Sequence, residues 1–196
     1  MENINSVSVK NRFFVSLAVV AFSAVIGFWD LSGEPMEGHE SFVSVTARQM
    51  IQSGQWAVPI YNGQLRLEKT PLNYWMIAIA SMFTGSVNEL AARLPSAILA
   101  VLLTIAILYF VTRWISFRTA VFSAMVWSSC YGFIRYTHSG RPEISVTVFT
   151  AIAMLSFYSA INEQKLKTRW LYMIIFWVSF ALGMLAKGPA PLPMIA

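Results

Sequence analysis

The stretch PSAILAVLLTIAILYFVT, residues 95–112, decides the fold class of this chain. No charged side chain occurs anywhere in it. A helix needs about 20 predominantly apolar residues to cross the hydrocarbon core of a bilayer, and this stretch comes close to that length. It therefore predicts a membrane-spanning helix.

Four further apolar runs of similar length lie on both sides of this stretch. The first of them follows Lys10 and Arg12 and has no small-residue cleavage site, so we interpret it as a retained signal anchor. The sequence thus predicts an all-α integral membrane protein, a multi-span helical bundle with spans at 13–32, 95–112, 119–137, 144–161 and 171–186.

The composition leads to the same class of protein. Of the 196 residues, 57% are hydrophobic and only 12% are charged, against about 25% charged in a typical soluble domain. A water-soluble enzyme is therefore excluded, and the single cysteine, Cys130, excludes a disulfide framework. The net charge of +5 comes from basic residues at the edges of the apolar runs, which is typical of membrane orientation and not of nucleic-acid binding.

Segment 72–87 admits two interpretations, because Asn73 and a polar end shorten its apolar part. It either crosses the membrane or lies along the outer surface. Only the surface placement puts the basic loops at 113–118 and 165–169 on the same side as the N-terminus, as the positive-inside tendency favours. We therefore predict a cytoplasmic N-terminus, an outer loop over 33–94 with interfacial helices, and four more spans.

Three charged clusters fall at the outer membrane face in this topology. They lie at 37–40, 68–69 and 138–143, and Lys187 follows the fifth span on the same side. Charge at the membrane boundary is expensive and often functional. The clusters therefore predict one polar pocket, with the loops that carry Glu40 and Glu143 in the same compartment.

Seven short motifs occur in a characteristic order along the chain. They are A-R-x-M at 47–50, S-G-x-W-x-x-P at 53–59, N-G at 62–63, E-K-x-P-L-x-Y-W at 68–75, A-A-R-L-P-S-A at 91–97, R-P-E at 141–143 and K-G-P at 187–189. Together they closely resemble the GT-C membrane glycosyltransferases, above all the aminoarabinose-transferase-like and protein-mannosyltransferase-like proteins of glycosyltransferase families 39 and 83. The resemblance covers the chain from residue 13 onward.

The resemblance implies a GT-C-type helical bundle in the bacterial inner membrane, with its active site on the periplasmic face. It implies transfer of a hexose or pentose from a polyprenyl-phosphate-linked donor to lipid A, another glycan or a protein. Members of the family are two or three times as long, so we expect this chain to be the N-terminal part of a longer enzyme. A non-catalytic lipid-binding or transport-associated protein of the same fold is the alternative, and an ion or solute transporter is disfavoured because no charged residue lies in the middle of a span.

Glu40 is the first candidate to activate the acceptor or to bind a divalent metal ion. The family usually has an acidic pair at the positions of His39 and Glu40, and the missing Asp is the residue usually given the base role. Either His39 acts as the base, or Glu37 or Glu40 replaces it, or the site is inactive. The alternative is that Glu37 and Glu40 are ordinary solvated acids of the loop with no role in catalysis.

Lys69 matches the family's E-K-x-P motif and is the best candidate to bind the donor phosphate. Glu68 either positions Lys69 or binds metal. A lysine that merely faces lipid headgroups is the alternative for Lys69. Arg66 stands where relatives often carry an aromatic residue, so the resemblance gives it no role.

Glu143 is the second candidate carboxylate, for catalysis or for metal binding. An acid after Pro142 at the start of a helix is also favourable for structural reasons alone. Arg141 is expected either to pair with Glu143 or to reach the donor phosphate. Lys187 is expected either to contribute to the phosphate site or to snorkel to the membrane surface.

Overall fold

The computed structural model describes residues 9–66 and 69–192. Within these ranges the chain forms eight helices and one short antiparallel hairpin, in which Ile60 pairs with Leu65 and Tyr61 with Gln64. In chain order the elements are α1 (Val9–Phe28), α2 (Gly38–Ser53), β1 (Ile60–Tyr61), β2 (Gln64–Leu65), α3 (Leu72–Thr84), α4 (Glu89–Trp114), α5 (Phe117–Ser129), α6 (Tyr131–Thr137), α7 (Glu143–Asn162) and α8 (Leu166–Lys187).

The helices form a bundle with two distinct ends. At one end, which we call the site end, residues 28–38, 89–93, 138–143 and 187 come together; for example, the side chain of His138 contacts the carbonyl oxygen of Trp29 at 2.7 Å. At the opposite end, Arg113 pairs with Glu163 in the loop between α7 and α8. The charged loops predicted to share one compartment therefore do lie at one end of the bundle.

Four of the predicted spans correspond to one long helix each. Helices α1, α4, α7 and α8 have the length and the apolar composition needed to cross a membrane. α1 ends at Phe28, before the predicted limit, because Asp30 adopts a positive φ of 48° and its carbonyl closes a turn with the N–H of Gly33. α4 begins at Glu89, inside the predicted outer loop, because the Asn88 side chain caps it.

Two helices, α5 and α6, cover the predicted span 119–137. Neither alone is long enough to cross a bilayer. The backbone is extended at Cys130, with φ −71° and ψ 150°, and the sulfur of Cys130 accepts a hydrogen bond from the N–H of Phe133 that caps α6. Ser129 and Gly132 are poor helix formers on either side of the break. The two helices together still carry the chain from the opposite end to the site end.

Small polar side chains join α1, α4 and α5 in the middle of the bundle. The hydroxyl groups of Ser23 and Thr104 lie 2.8 Å apart, and Ser128 lies 3.5 Å from Thr104. All three side chains are buried. Because small residues let helices approach closely in a membrane and their hydroxyls bond across the interface, this set holds α1 against its neighbours.

The region between α1 and α4 packs beside the site end. α2 lies in the outer loop for which helices are predicted, and Asn62 and Gly63, the residues of the N-G motif, form the turn that joins β1 to β2. α3 has 13 residues, so it is about 20 Å long and too short to cross about 30 Å of hydrocarbon. Its buried face packs on α2 and α4 through Val43, Ala47, Met50, Tyr74, Ile77, Ala78, Val87 and Ala92.

Candidate active site at one end of the bundle

Glu40 lies at the centre of the site end, in the first turn of α2. Its side chain is 1% exposed. One carboxylate oxygen accepts hydrogen bonds from Arg93 Nε at 3.0 Å and from the Gly140 N–H at 2.7 Å, and the other accepts from Arg93 Nη2 at 3.0 Å and the Glu37 N–H at 3.2 Å. A carboxylate has about four lone-pair directions, so none remains for a metal ion or an acceptor hydroxyl.

Arg93 is the partner that makes this arrangement possible. It is 3% exposed and comes from the second turn of α4. Besides Glu40, its guanidinium donates to the carbonyl oxygens of Leu31, Glu34 and Pro35. Its five N–H donors therefore find five acceptors, and the pair ties the end of α1, the start of α2 and the start of α4 together.

Gly140 brings a fourth segment to the same ion pair. A Cβ atom at this position would lie 3.2 Å from the carbonyl oxygen of Ala92 and 3.5 Å from Cγ of Glu40. The absence of a side chain therefore allows the loop before α7 to approach closely enough for the Gly140 N–H to reach Glu40. Glu40 thus helps to position this loop, together with the buried hydroxyl of Ser96, which donates to the carbonyl oxygen of Ser139.

Glu37 forms a second charged contact nearer the surface. Its two carboxylate oxygens accept hydrogen bonds from Arg135 at 2.6 Å and Arg141 at 2.9 Å, and its side chain is 44% exposed. The hydrogen bond from Arg135 is the largest cause that lowers the pKa of Glu37 below its ordinary value. Arg141, expected to pair with Glu143 or to reach a phosphate, pairs with Glu37 and not with Glu143 in this structure.

Glu143 and Lys187 meet where α7 begins and α8 ends. Lys187 Nζ donates to Oε1 of Glu143 at 3.1 Å, and both side chains are about one third exposed. The other carboxylate oxygen, Oε2, is buried and has no hydrogen-bond partner among residues 9–66 and 69–192. The two predicted site residues are thus neighbours, and one oxygen of Glu143 remains free to bind a further group.

A narrow cleft brings His39 and Lys69 together between α2, α3 and the start of α7. It has about 10 Å³ of free space, so a bound group larger than water requires the cleft to widen. Glu68 lies outside the described residues. The residues that line the cleft are His39, Val43, Arg66, Lys69, Thr70, Asn73, Tyr74, Pro142 and Ala186.

A larger groove of about 540 Å³ runs between α1 and α6. Its walls are apolar, from residues such as Val25, Ile26 and Ile134, and its rim at the site end carries Asp30 and Arg135. An apolar groove with a charged rim has the shape that suits an amphiphile, a molecule with a polar head and a hydrocarbon tail.

Residues 68–196 match the family model described as dolichyl-phosphate-mannose-protein mannosyltransferase. The matched range includes α3 to α8 and thereby Arg93, Glu143 and Lys187. The chain belongs to this mannosyltransferase family. The resemblance to GT-C glycosyltransferases that the motifs predict is confirmed.

Curated relatives of this mannosyltransferase-family chain include proteins with and without an assigned activity. An uncharacterized protein of Aquifex aeolicus is 34% identical over 154 residues, which are 78% of this chain and 30% of that protein. The undecaprenyl phosphate-alpha-4-amino-4-deoxy-L-arabinose arabinosyl transferase of Aeromonas salmonicida is 30% identical over 72% of this chain and 26% of its own length. The chain thus spans about a third or less of these two relatives.

The fold of the mannosyltransferase-family chain also matches solved structures. ArnT from Cupriavidus metallidurans in the apo state superposes with a TM-score of 0.83 at 21% identity, over 90% of this chain and 33% of that one. The same enzyme bound to undecaprenyl phosphate gives a TM-score of 0.80 at 20% identity, over 91% of this chain and 33% of that one. The GT-C-type helical bundle predicted from the sequence is therefore confirmed.

The described residues of this protein do not include a cluster of side chains suited to hold a metal ion. No group of three or more His, Cys, Asp or Glu side chains lies close enough together among the described residues to hold an ion. Glu40 has its lone pairs filled and Glu143 is paired with Lys187. Glu40 therefore does not fit the divalent metal ion for which it is a candidate, whereas Glu143 offers such an ion one free oxygen.

The contact of Glu37 with its two arginines predicts that the stability of this protein depends on pH. A lowered pKa means that the stability due to the Glu37 carboxylate is fully present above about pH 4.3, the value for an unperturbed Glu, and is lost as the pH falls through the lower folded value. We therefore expect the contribution of this contact to the melting temperature in detergent to stay constant between pH 7 and 5. Below pH 4 the wild-type protein should lose this contribution. Its melting temperature should then approach that of a Glu37→Gln variant, which lacks the contribution at every pH.

The matched control for this pH response is Glu34→Gln. The Glu34 carboxylate makes no ion pair within the described ranges. A Glu37→Gln variant with the same melting temperature as wild type at pH 7 would contradict the importance of the contact.

Proposed function

We propose that this protein is a membrane glycosyltransferase of the inner membrane that moves a sugar from a polyprenyl-phosphate donor to a lipid, glycan or protein acceptor. Membership of the mannosyltransferase family and the arabinosyl-transferase activity for which the Aeromonas salmonicida relative is named support the class of reaction. The fold shared with ArnT supports a lipid-borne donor, because one of those structures holds undecaprenyl phosphate.

One observation carries the proposal: the cleft with His39 and Lys69 lies beside the Glu143–Lys187 pair, at the ends of apolar helices. A polyprenyl phosphate places its tail among apolar helices and its charged head at their ends. Lys69 has no carboxylate partner among residues 9–66 and 69–192. Its ammonium group is thus available to the phosphate.

The reaction that fits these residues is an inverting displacement. An acceptor hydroxyl oxygen attacks the anomeric carbon, the bond from that carbon to the phosphate oxygen breaks, and polyprenyl phosphate leaves with the electron pair. His39 is exposed at the cleft and takes the proton from the acceptor as general base. Lys69 neutralises the charge that develops on the departing phosphate.

His39 is assigned as the general base because the three candidate carboxylates at the site end are already engaged by other groups. Glu40 accepts four hydrogen bonds, and Glu37 is held by two arginines. Glu143 is neutralised in part by Lys187. His39 alone among these four candidates makes no ion pair or side-chain hydrogen bond to the described residues.

The site faces the periplasm in this proposal, with the N-terminus in the cytoplasm. The basic loops at 113–118 and 165–169 belong to the opposite end of the bundle, where Arg113 and Glu163 pair. Short cytoplasmic loops carry an excess of Lys and Arg. The end that holds the cleft is then outside.

A non-catalytic lipid-binding protein of the same fold is the second candidate, because His39 replaces the family's usual acid. Transfer from a radiolabelled polyprenyl-phosphate sugar, measured in membranes that contain the complete protein, separates the two. We expect the wild type to transfer label and His39→Asn to transfer about 100-fold less, since general base catalysis contributes 10²–10⁴-fold. An inactive wild type that gains activity as His39→Asp would identify a degenerate site instead.

A further inference from the structure

Arg66 is a cleft residue to which the family resemblance assigns nothing. It directly follows the β1–β2 hairpin, and its backbone N–H donates to the carbonyl oxygen of Pro59 at 2.8 Å. The hairpin is itself tied to α2, since Gln49 Oε1 accepts from the N–H of Asn62 at 3.1 Å. Arg66 therefore extends from a segment whose backbone is held at both ends.

Two aromatic rings hold the guanidinium group of Arg66. Its Cζ atom lies 5.2 Å from the centre of the Phe42 ring and 5.3 Å from the centre of the Tyr61 ring. The two rings meet edge to face with their centres 5.3 Å apart. Cation–π contacts of this kind favour the charged guanidinium and restrict its orientation, without using its N–H donors.

The charge of Arg66 has no carboxylate partner in the described part of the chain. None of the five ion pairs formed by described residues includes Arg66 or Lys69. Arg66 Nε and the hydroxyl oxygen of Thr70 are buried and lack a hydrogen-bond partner within the same ranges. Buried polar atoms are almost always hydrogen-bonded in proteins, so these atoms indicate a group that is bound in the working enzyme.

All three side chains line one cleft. Two cations and a hydroxyl donor that converge, with no acid among the described residues that line the cleft, form a site for an anion of more than one charge. Arginine offers a planar fork of donors and lysine a point charge, and the two together suit a phosphate group.

We propose that Arg66 is a second cationic ligand of the donor phosphate and that, with Lys69, it favours the phosphate monoester over the phosphodiester. The proposal rests on the proposed function. The sugar donor is a phosphodiester with one negative charge, whereas the polyprenyl phosphate that leaves is a monoester with a charge between −1.5 and −2 at pH 7. A second cation therefore interacts more strongly with the leaving group than with the donor, and it stabilises the transition state more than the bound substrate.

The test compares two ligands on the complete protein in lipid nanodiscs: undecaprenyl phosphate and its sugar phosphodiester. We expect Arg66→Gln to weaken binding of the monoester roughly 10- to 100-fold, the usual effect of a hydrogen bond to a charged group, and to weaken diester binding several-fold less. Arg66→Lys keeps a charge without the fork and should fall between wild type and Arg66→Gln. Arg118→Ala, which removes an exposed arginine at the opposite end, is the matched control.

The possible outcomes separate the role of Arg66 from the proposed function. Selective loss of the monoester in Arg66→Gln supports the proposal, and an equal loss of both ligands or no loss overturns it. If Lys69→Ala weakens binding and Arg66→Gln does not, the proposed function stands and the role of Arg66 is wrong. If the wild-type protein binds neither ligand, the proposed function itself fails.

Discussion

Replacing Arg93 by alanine is expected to prevent the protein from accumulating in a folded form. The substitution leaves the carboxylate of Glu40 buried without its counter-ion and removes the donors to three backbone carbonyls. Breaking a buried ion pair by removing one partner destabilises a protein by about 3–5 kcal/mol, which is a large share of the 5–15 kcal/mol that most domains possess. The fraction of monodisperse protein after detergent extraction and its melting temperature measure the effect.

Arg113→Ala supplies the control for this experiment. Arg113 also pairs with a glutamate, but its own side chain is 41% exposed while that of Glu163 is 8% exposed, so this pair is less buried than the pair of Arg93 with Glu40 and its loss should cost less. The Arg113→Ala variant should therefore extract and melt much closer to the wild type than the Arg93→Ala variant does. Equal behaviour of the Arg93→Ala and Arg113→Ala variants would contradict the structural role given to Arg93.

The same measurements of extraction and melting temperature, made on Glu40→Gln together with its transfer activity, decide the role of Glu40. If Glu40 positions the loops, Glu40→Gln lowers stability and activity together, because the amide leaves the buried guanidinium without a counter-charge and offers one acceptor oxygen in place of two. If Glu40 were a catalytic acid or base, Glu40→Gln would fold normally and lose only transfer. The four hydrogen bonds to its carboxylate favour the first outcome.

Replacing Lys69 by alanine is expected to give the second large effect, on transfer and not on folding. Lys69 lines the cleft and forms no ion pair with the residues at 9–66 or 70–192, so its removal breaks no described ion pair. Removing one preorganised group that stabilises a developing anion lowers kcat about 100- to 1,000-fold. Single-turnover transfer from a labelled polyprenyl-phosphate sugar measures the chemical step directly.

Two further variants make the Lys69 result specific. Lys69→Arg keeps the charge but changes the geometry of its donors, so it should retain more transfer than Lys69→Ala. Lys167→Ala removes an exposed lysine at the opposite end and should transfer as wild type. Full activity of a folded Lys69→Ala variant would leave the cleft without its phosphate ligand, and the site would have to be sought elsewhere.

The membrane spans show how much of the fold could be predicted from the sequence. Apolar runs of about 20 residues have few stable options other than crossing a membrane as helices, so four of them could be predicted with small errors at their ends. The span at 119–137 shows the limit of predicting helices from the length of an apolar run. Its apolar composition is uniform enough for one helix, but the extended backbone at Cys130 divides it, and hydropathy averaged over a window does not register a single residue.

The charged residues are harder to predict than the spans. The sequence placed Glu40, Arg93 and the loop with Gly140 at one membrane face, yet Glu40 and Arg93 are 53 residues apart and Glu40 and Gly140 are 100 apart. Any of several outer arginines could have neutralised any of several acids. Glu37 stood out only as a substitute base, although it binds both Arg135 and Arg141.

The sequence by itself determined that the protein is a helical membrane protein of the GT-C type and that its charged loops gather at one end. These properties depend on hydrophobicity, spacing and motif order, which are local or additive along the chain. Only the tertiary structure decided which charges neutralise one another and which stay available. That depends on packing, because a carboxylate buried against Arg93 is committed to holding loops together, whereas Lys69 and Arg66 line a cleft with no described acid to cancel their charge.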